Sequence, residues 1–144
     1  MQSRASTVWE GEGLTGKGQV SALGSGLFKN APISWASRSE ASNGKTSPEE
    51  LLAAAHAGCF AMAVAFGLAG AKKPATKLEV NCTVTFEKAG AGFKVTKSAL
   101  EITGVVPGMD AAGFTAATNG AKEGCPISQA LKGNVEITLV AKLA

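Results

Sequence analysis

The sequence predicts an α+β fold in which antiparallel hairpins are combined with one long helix and two shorter ones. Two patterns carry this prediction. Apolar and polar residues alternate with period two through residues 78–86 and 135–141, which is typical of half-buried strands. Residues 51–70 contain no Asp, Glu, Lys or Arg, which indicates a central helix that is buried all round. The elements do not alternate as in a repeated βαβ protein.

The length and composition exclude several classes of protein. A chain of 144 residues is the size of one domain, and we expect a single domain over residues 1–144. Three Cys cannot form a disulfide framework. The net charge of +3 is scattered, with Lys72–Lys73 the only adjacent cationic pair, so a nucleic acid partner is not expected.

The apolar residues are unusually small. Alanine accounts for 26 residues, whereas Phe and Trp together account for 8. Small side chains bury less area per residue than Leu, Ile or Phe, and they let backbones approach closely. The composition therefore favours a homodimer, in which a partner surface adds to the buried area.

The first third of the chain predicts short strands with glycine-rich turns. Residues 3–28 form two or three strands, and residues 32–38 form another with Trp35 and Arg38 on opposite faces. Residues 11–16 match the G-x-G-x-x-G pattern, and the overlapping residues 11–17 nearly match a P-loop. Phosphate loops require a following helix, but a strand-like segment follows here, so we interpret the glycines as a hairpin turn.

The long helix has clear start and stop signals. Ser47 is the predicted N-cap, Pro48 the first helical residue and Glu50 the third, which is a capping box. Gly70 ends the helix. Its length would suit a membrane span. However, eight of the twenty residues 51–70 are Ala and three are Gly, and His56 lies among them, so we expect a soluble protein without membrane attachment.

The remaining segments are assigned from periodicity and breakers. Strands are predicted over residues 78–86, 93–102 and 135–141, and a helix over 110–122, stopped by Gly124. A short helix begins near residues 125–126 and runs through 131 to 133. No apolar segment follows residues 1–4, so we expect no secretory signal and a cytoplasmic location.

Cysteine chemistry is the strongest functional signal that the residues give. Cys59 lies in the middle of the long helix, and Cys125 lies at the start of a short one, where free amides would stabilise a thiolate. Each thiol alone could equally be buried and inert. Cys82 lies on the apolar face of a strand and is expected to pack in the core. His56 is expected to be a hydrogen-bonded core residue, and a zinc site is disfavoured because no C-x-x-C motif is present.

Two segments resemble one known family closely. Residues 47–60, SPEELLAAAHAGCF, and residues 124–131, GCPISQAL, occur in the order and at the separation found in the OsmC/Ohr family of osmotically inducible and organic hydroperoxide resistance proteins. The resemblance extends over essentially the whole chain, including WEG at 9–11 and VPGMD at 106–110. It implies an intertwined homodimer with antiparallel sheets wrapped around long central helices. It also implies a cysteine-based peroxidase that reduces organic hydroperoxides.

The resemblance also assigns roles to individual residues. Cys59 is similar to the peroxidatic cysteine and Cys125 to the resolving cysteine, while Glu49 matches the carboxylate that holds the catalytic arginine. Arg38 matches the arginine of the OsmC branch, whereas the Ohr branch takes its arginine from the earlier glycine-rich turn. The OsmC branch is therefore favoured. Because ten helical residues span about 15 Å, Glu49 and Cys59 would meet only through Arg38 or through a second subunit.

The chemistry implied needs a substrate and a reductant but no cofactor. An organic hydroperoxide would oxidise Cys59 to a sulfenic acid, Cys125 would convert it to a disulfide, and a dithiol would reduce that bond. The resemblance links the reductant to dihydrolipoyl proteins, and no metal, haem or flavin is expected. Two alternatives remain open. One is a thiol hydrolase or acyl transferase that uses Cys59 with His56, and the other is a non-enzymatic dimeric stress protein.

Overall fold

Six strands and four helices follow one another in the computed structural model, which describes all residues from 1 to 144. The chain divides into two units, Met1–Leu51 and Leu52–Ala144, here called the N-terminal and the C-terminal unit. The expectation of one domain over residues 1–144 stays a prediction.

A three-stranded antiparallel sheet forms most of the N-terminal unit. Its strands are β1 (Ala5–Glu10), β2 (Lys17–Ala22) and β3 (Ala31–Ile33), in that order. The glycine-rich segment is the turn between β1 and β2, as predicted, and Gly11 there has a φ of +88°. Gly18 pairs with Trp9 across the hairpin, and a Cβ on Gly18 would lie 2.6 Å from the indole ring.

Arg38 lies in a short helix and not at the end of a strand as predicted. Strand β3 stops at Ile33, and helix α1 (Trp35–Ser39) follows. The cause is a local cap. The Ser34 hydroxyl accepts from the Ser37 N–H at 3.1 Å, and the Ser37 hydroxyl accepts from the Ser34 N–H at 3.0 Å. Two reciprocal bonds make the helical turn more favourable than an extended strand end.

Helix α2 (Pro48–Gly70) begins at the predicted cap and ends at the predicted glycine. The Glu50 N–H donates to the Ser47 hydroxyl at 3.1 Å. The Glu50 carboxylate accepts from the Thr46 hydroxyl, so only one half of the predicted capping box forms.

The face of α2 that carries His56, Phe60, Val64 and Leu68, which are spaced four residues apart, is fully buried. The opposite face carries Met62, which is 59% exposed, and Phe66, which is 79% exposed. The prediction of a helix that is buried all round was therefore wrong for a single chain. The second face is apolar but uncovered.

Helix α2 is also the one helix long and apolar enough to cross a membrane, with a mean hydropathy of 1.9 over its most apolar window. Core helices of proteins without a membrane segment meet the same two criteria. Phe60, Val64 and Leu68 belong to the main apolar core, as expected for a core helix.

A second three-stranded sheet, with one helix pair packed on it, forms the rest of the C-terminal unit. Strand β4 (Lys77–Ala89) pairs antiparallel with β5 (Gly92–Val105), and β5 pairs parallel with β6 (Glu136–Leu143). The expectation of antiparallel sheets therefore does not hold for β5 and β6. The connection contains helices α3 (Ala111–Gly124) and α4 (Pro126–Leu131), which carry the chain back to the start of β5.

The apolar core of this unit lies between β5, α2 and α3. Asp110 caps α3 by accepting from the Gly113 N–H at 2.7 Å, and this fixes where the helix begins. Cys125 contributes to the same core, which brings the end of α3 against the middle of α2. The buried members of the cluster are Phe60, Val64, Leu68, Leu100, Ile102, Val106, Phe114 and Cys125.

Candidate active site

Two cysteines that lie 66 positions apart in sequence meet in the C-terminal unit. Cys59 is in the middle of α2, and Cys125 is both the last cap of α3 and the first cap of α4. Their Sγ atoms are 3.1 Å apart, and both thiols are free. Since a disulfide has an S–S length of about 2.05 Å, the sulfurs need to approach by only about 1 Å to form one. The arrangement is suited to reversible disulfide formation.

The two thiols differ in access. Cys125 is completely buried, whereas Cys59 is partly exposed. A small molecule from solvent can therefore reach the Cys59 sulfur first. This difference separates the two thiols into an accessible one and a protected one.

The surroundings also shift the pKa values of the two thiols in opposite directions. Burial raises the pKa of Cys59, and the neighbouring Cys125 raises it further, although the Ile127 amide opposes both. Burial also acts to raise the pKa of Cys125, but the Ser128 amide, Cys59, the Ser128 hydroxyl and the Ile127 amide together lower it. Within this unit, the thiolate is therefore favoured on Cys125, as its position before a helix suggested.

His56 is a buried hydrogen-bonded residue, as predicted. Its Nδ1 lies 2.7 Å from the Ser98 hydroxyl and its Nε2 lies 2.8 Å from the Ser128 hydroxyl. Burial lowers the pKa of His56, so the ring is neutral near pH 7. Both ring nitrogens are engaged with serines, so neither serves as the base for Cys59 that a thiol hydrolase would require.

Cys82 lies against the core, as predicted, but it also has a polar partner. Its Sγ is 3.3 Å from the Ser98 hydroxyl. Burial raises the pKa of Cys82, although the Ser98 hydroxyl opposes the shift. Sequence reasoning missed Ser98, although a signal was present. Ser98 lies on the buried face of β5 that also carries Leu100 and Ile102, where an apolar residue is expected.

Arg38 and Glu49 form an ion pair in the N-terminal unit, as predicted. Arg38 Nε donates to Glu49 Oε1 at 2.8 Å, and the guanidinium lies 5.8 Å from the Trp35 ring centroid. The Glu49 side chain is only 9% exposed. Its Oε2 is buried without a hydrogen-bond partner, so only one carboxylate oxygen of Glu49 accepts a hydrogen bond. The pair fixes a guanidinium beside the first turn of α2.

The four predicted site residues are thus brought together two by two, Cys59 with Cys125 and Arg38 with Glu49. The catalytic roles assigned to them stay predictions. The described residues include no group of three His, Cys, Asp or Glu side chains placed to hold a metal ion.

Comparison with known proteins identifies the family. The model of the OsmC-like protein family matches residues 41–140. The chain belongs to the OsmC-like family. An OsmC protein of Escherichia coli, named a peroxiredoxin, is 44% identical over 131 residues, which cover 91% of this chain and 89% of that protein. An organic hydroperoxide resistance protein of Xanthomonas axonopodis is 34% identical over 95 residues, 65% of each chain.

Solved structures of the same family have the same fold. The organic hydroperoxide resistance protein OsmC of Legionella pneumophila matches with a TM-score of 0.78 and 25% identity, and 99% of this chain and 97% of that chain are covered. OhrB of Bacillus subtilis, also named an organic hydroperoxide resistance protein, matches with a TM-score of 0.76 and 26% identity over 96% and 98% of the two chains. The α+β OsmC-like fold is therefore confirmed.

Proposed function

We propose that this chain is a cysteine-based peroxidase that reduces organic hydroperoxides to alcohols in the defence against oxidative or osmotic stress. One observation carries the proposal: two free thiols from distant parts of the sequence lie 3.1 Å apart, and only one of them is open to solvent. The names of the relatives, a peroxiredoxin and a hydroperoxide resistance protein, support the same reaction class.

In the first step the Cys59 thiolate attacks the distal oxygen of the hydroperoxide. The O–O bond breaks, Cys59 becomes a sulfenic acid, and the alkoxide takes a proton and leaves as the alcohol. Cys59 is assigned this step because it is the accessible thiol of the pair. Its raised pKa must be offset by a cation, and we assign that role to Arg38, oriented by Glu49.

In the second step Cys125 resolves the sulfenic acid. The Cys125 thiolate attacks the Cys59 sulfur, an S–S bond forms, and the S–O bond breaks with loss of hydroxide, which takes a proton to become water. The lowered pKa of Cys125 suits this step, since only the thiolate is a good nucleophile. A dithiol, for which a dihydrolipoyl protein is our candidate, then returns both cysteines to thiols by exchange.

The substrate preference follows from what surrounds Cys59. It packs against an apolar cluster that includes Phe60, and small side chains such as Ala63 lie next to it. An alkyl or lipid hydroperoxide gains from contact with such a surface, whereas hydrogen peroxide does not. We therefore propose organic hydroperoxides as the preferred substrates. We also propose a cytoplasmic location, because a cysteine pair that must be returned to thiols after each turnover needs a reducing compartment.

A second copy of the chain is the proposed partner of the uncovered apolar side chains. Phe66 and Met62 on α2 are 79% and 59% exposed, and in the N-terminal unit Val8 and Trp9 on β1 are 61% and 40% exposed. Large apolar side chains that are exposed on one helix face usually mark a protein interface. A homodimer would cover them and would place two central helices together.

Turnover kinetics test the proposed reaction. Consumption of cumene hydroperoxide is followed with dihydrolipoamide or thioredoxin as the reductant, and hydrogen peroxide serves as the comparison. We expect turnover with cumene hydroperoxide to be faster, to vanish in Cys59→Ser, and to stop after one equivalent in Cys125→Ser. Cys82→Ser is the matched control and should retain turnover. Intact turnover in Cys125→Ser would instead favour a thiol enzyme without a resolving cysteine.

A further inference from the structure

The guanidinium of Arg38 has an aromatic neighbour in addition to Glu49. Its Cζ lies over the Trp35 ring, 5.8 Å from the ring centroid. Trp35 and Arg38 are three residues apart in helix α1, and side chains at this spacing are neighbours on the helix surface. The negative face of an indole ring attracts a cation placed over it, and the attraction is stronger where water is partly excluded. Both side chains are half-buried, so this contact is more than an exposed surface pair.

The contact with Glu49 holds the guanidinium in place but restrains its plane only in part. A carboxylate restrains that plane best when each of its two oxygens accepts one of two parallel N–H···O bonds. Here Glu49 Oε1 accepts from Arg38 Nε at 2.8 Å, whereas Glu49 Oε2 has no hydrogen-bond partner. The Trp35 ring adds the missing restraint, because it occupies the space on one side of the guanidinium.

Helix α1, which carries Trp35 and Arg38, is anchored to the segment that leads into α2. A helix of five residues has little stability of its own. The Ser37 hydroxyl donates to the Thr46 carbonyl at 3.0 Å. The Thr46 N–H donates to the Pro32 carbonyl at 3.0 Å, which ties the strand before α1 to the same segment. The indole and the guanidinium therefore project from a backbone that is held in place.

We propose that Trp35 is a positioning residue for the first step of the reaction: its indole ring holds the Arg38 guanidinium in an orientation that Glu49 alone fixes only in part. The inference rests on the proposed peroxidase function, in which Arg38 offsets the raised pKa of Cys59. Holding a flexible side chain in advance reduces the entropy that it loses when it acts on the thiolate. Trp35 takes no part in the bond changes and acts through Arg38.

A purely structural role for Trp35 makes a different prediction. An indole that only fills space supports the fold, so its loss would slow the reaction to the same extent whether or not Arg38 is present. A positioning residue matters only while the side chain that it positions is there. The two roles therefore differ in whether the effects of replacing Trp35 and Arg38 are additive.

A double-mutant cycle on the first step separates these roles. The reduced protein is mixed with one equivalent of cumene hydroperoxide without a reductant, samples are quenched with acid at intervals, and the remaining hydroperoxide is measured. The variants are Trp35→Leu, Trp35→Phe, Arg38→Gln and the double variant of Trp35→Leu with Arg38→Gln. The matched control is Ser39→Ala, which removes a hydroxyl of the same helix that donates to the Trp35 carbonyl but leaves the ring in place.

In Trp35→Leu we expect the first step at pH 7 to slow about three- to tenfold, because the guanidinium loses the attraction of the ring. Trp35→Phe keeps an aromatic face and should retain most of the wild-type rate. Ser39→Ala should match the wild type. In a chain that already carries Arg38→Gln, the further change Trp35→Leu should cause no additional loss.

A wild-type rate in Trp35→Leu would overturn the inference. An equal loss from Trp35→Leu with and without Arg38 would also overturn it, because the role would then be structural. If Trp35→Leu does not fold, fluorinated tryptophan placed at residue 35 decides the question, since fluorine weakens the negative face of the ring and nearly preserves its shape. The rate should then fall with each added fluorine, and a constant rate would contradict the inference. Failure of the proposed function is a separate result, since the wild type itself would then consume no hydroperoxide.

Discussion

Arg38 is the residue on which the reactivity of Cys59 depends in our proposal. The pKa of Cys59 is raised by burial, and nothing in the C-terminal unit offsets that fully. The ion pair with Glu49 holds the guanidinium in a defined place. Replacing this arginine should therefore affect the first chemical step and leave the second unchanged.

We predict that Arg38→Gln slows the oxidation of Cys59 by cumene hydroperoxide by about 10- to 100-fold at pH 7, because loss of an adjacent opposite charge raises a pKa by about one to two units. Stopped-flow measurement of the first turnover tests this. Arg4→Gln, at the only other arginine, is the control and should match the wild type. A normal rate in Arg38→Gln would remove arginine from the mechanism.

His56 also makes the stability of the fold depend on pH. The folded protein holds the ring neutral, with a pKa lowered from 6.5, whereas the unfolded chain binds a proton below that pH. Stability is therefore present above pH 6.5 and is lost as the pH falls below it, by up to about 1.4 kcal/mol per pH unit.

Urea unfolding between pH 5 and 7.5 measures this loss against His56→Gln, which cannot titrate. The free energy of unfolding of the wild type should fall on acidification below about pH 6.5. The difference in that free energy between the two proteins should become smaller over the same pH range. A difference between the two proteins that does not change with pH would show that His56 titrates equally in the folded and the unfolded state.

At the scale of elements, helix α3 is fixed on the sheet by one close approach. Gly104 of β5 lies directly under the buried ring of Phe114, and a Cβ there would collide with that ring. The contact holds the first turn of α3 on the sheet, and the same helix ends at Cys125. The missing side chain at residue 104 therefore matters to the site as well as to the core.

We predict that Gly104→Ala destabilises the protein by about 1–3 kcal/mol, because overpacking displaces Phe114. Urea unfolding measures the change. Gly92→Ala, in the same strand with open space around its Cα, is the matched control and should have little effect. Equal stability of the two variants would mean that the ring moves aside without cost.

Several elements could be predicted from the sequence because their signals are local. The Ser47 cap, the alternation of β4 and the helix start at Cys125–Pro126 all depend on neighbouring residues. The helix at Arg38 was not predicted, because the same segment also has a pattern typical of a strand. The helix depends on a cap formed by two serines three residues apart. The parallel pairing of β5 with β6 was missed because it depends on the path of two intervening helices.

The same distinction between local and long-range signals applies to the candidate site. The pairing of Cys59 with Cys125 and of Arg38 with Glu49 came from resemblance to a family, since no local pattern joins residues 66 positions apart. The partners of His56 were not predicted, because Ser98 and Ser128 lie 42 and 72 positions away. The one sequence signal for these partners was a serine, Ser98, on the buried face of β5.

At the scale of the whole molecule, the apolar side chains left uncovered in a single chain support the proposed homodimer. Phe66→Glu should reduce the mass measured by light scattering from twice 14.4 kDa toward 14.4 kDa, because a charge would be buried without a partner in the interface. Ala91→Glu, at an exposed small residue in the turn between β4 and β5, is the control and should leave the mass unchanged. A wild-type mass of 14.4 kDa would contradict the dimer.

The central claim is that Cys59 and Cys125 form a redox pair, and disulfide mapping tests it most directly. The reduced protein is treated with one equivalent of cumene hydroperoxide, alkylated and digested for mass spectrometry. The account predicts a Cys59–Cys125 disulfide formed within one turnover, with Cys82 still alkylated as a free thiol. Alkylation of all three cysteines after the peroxide has been consumed, or a disulfide that contains Cys82, would contradict it.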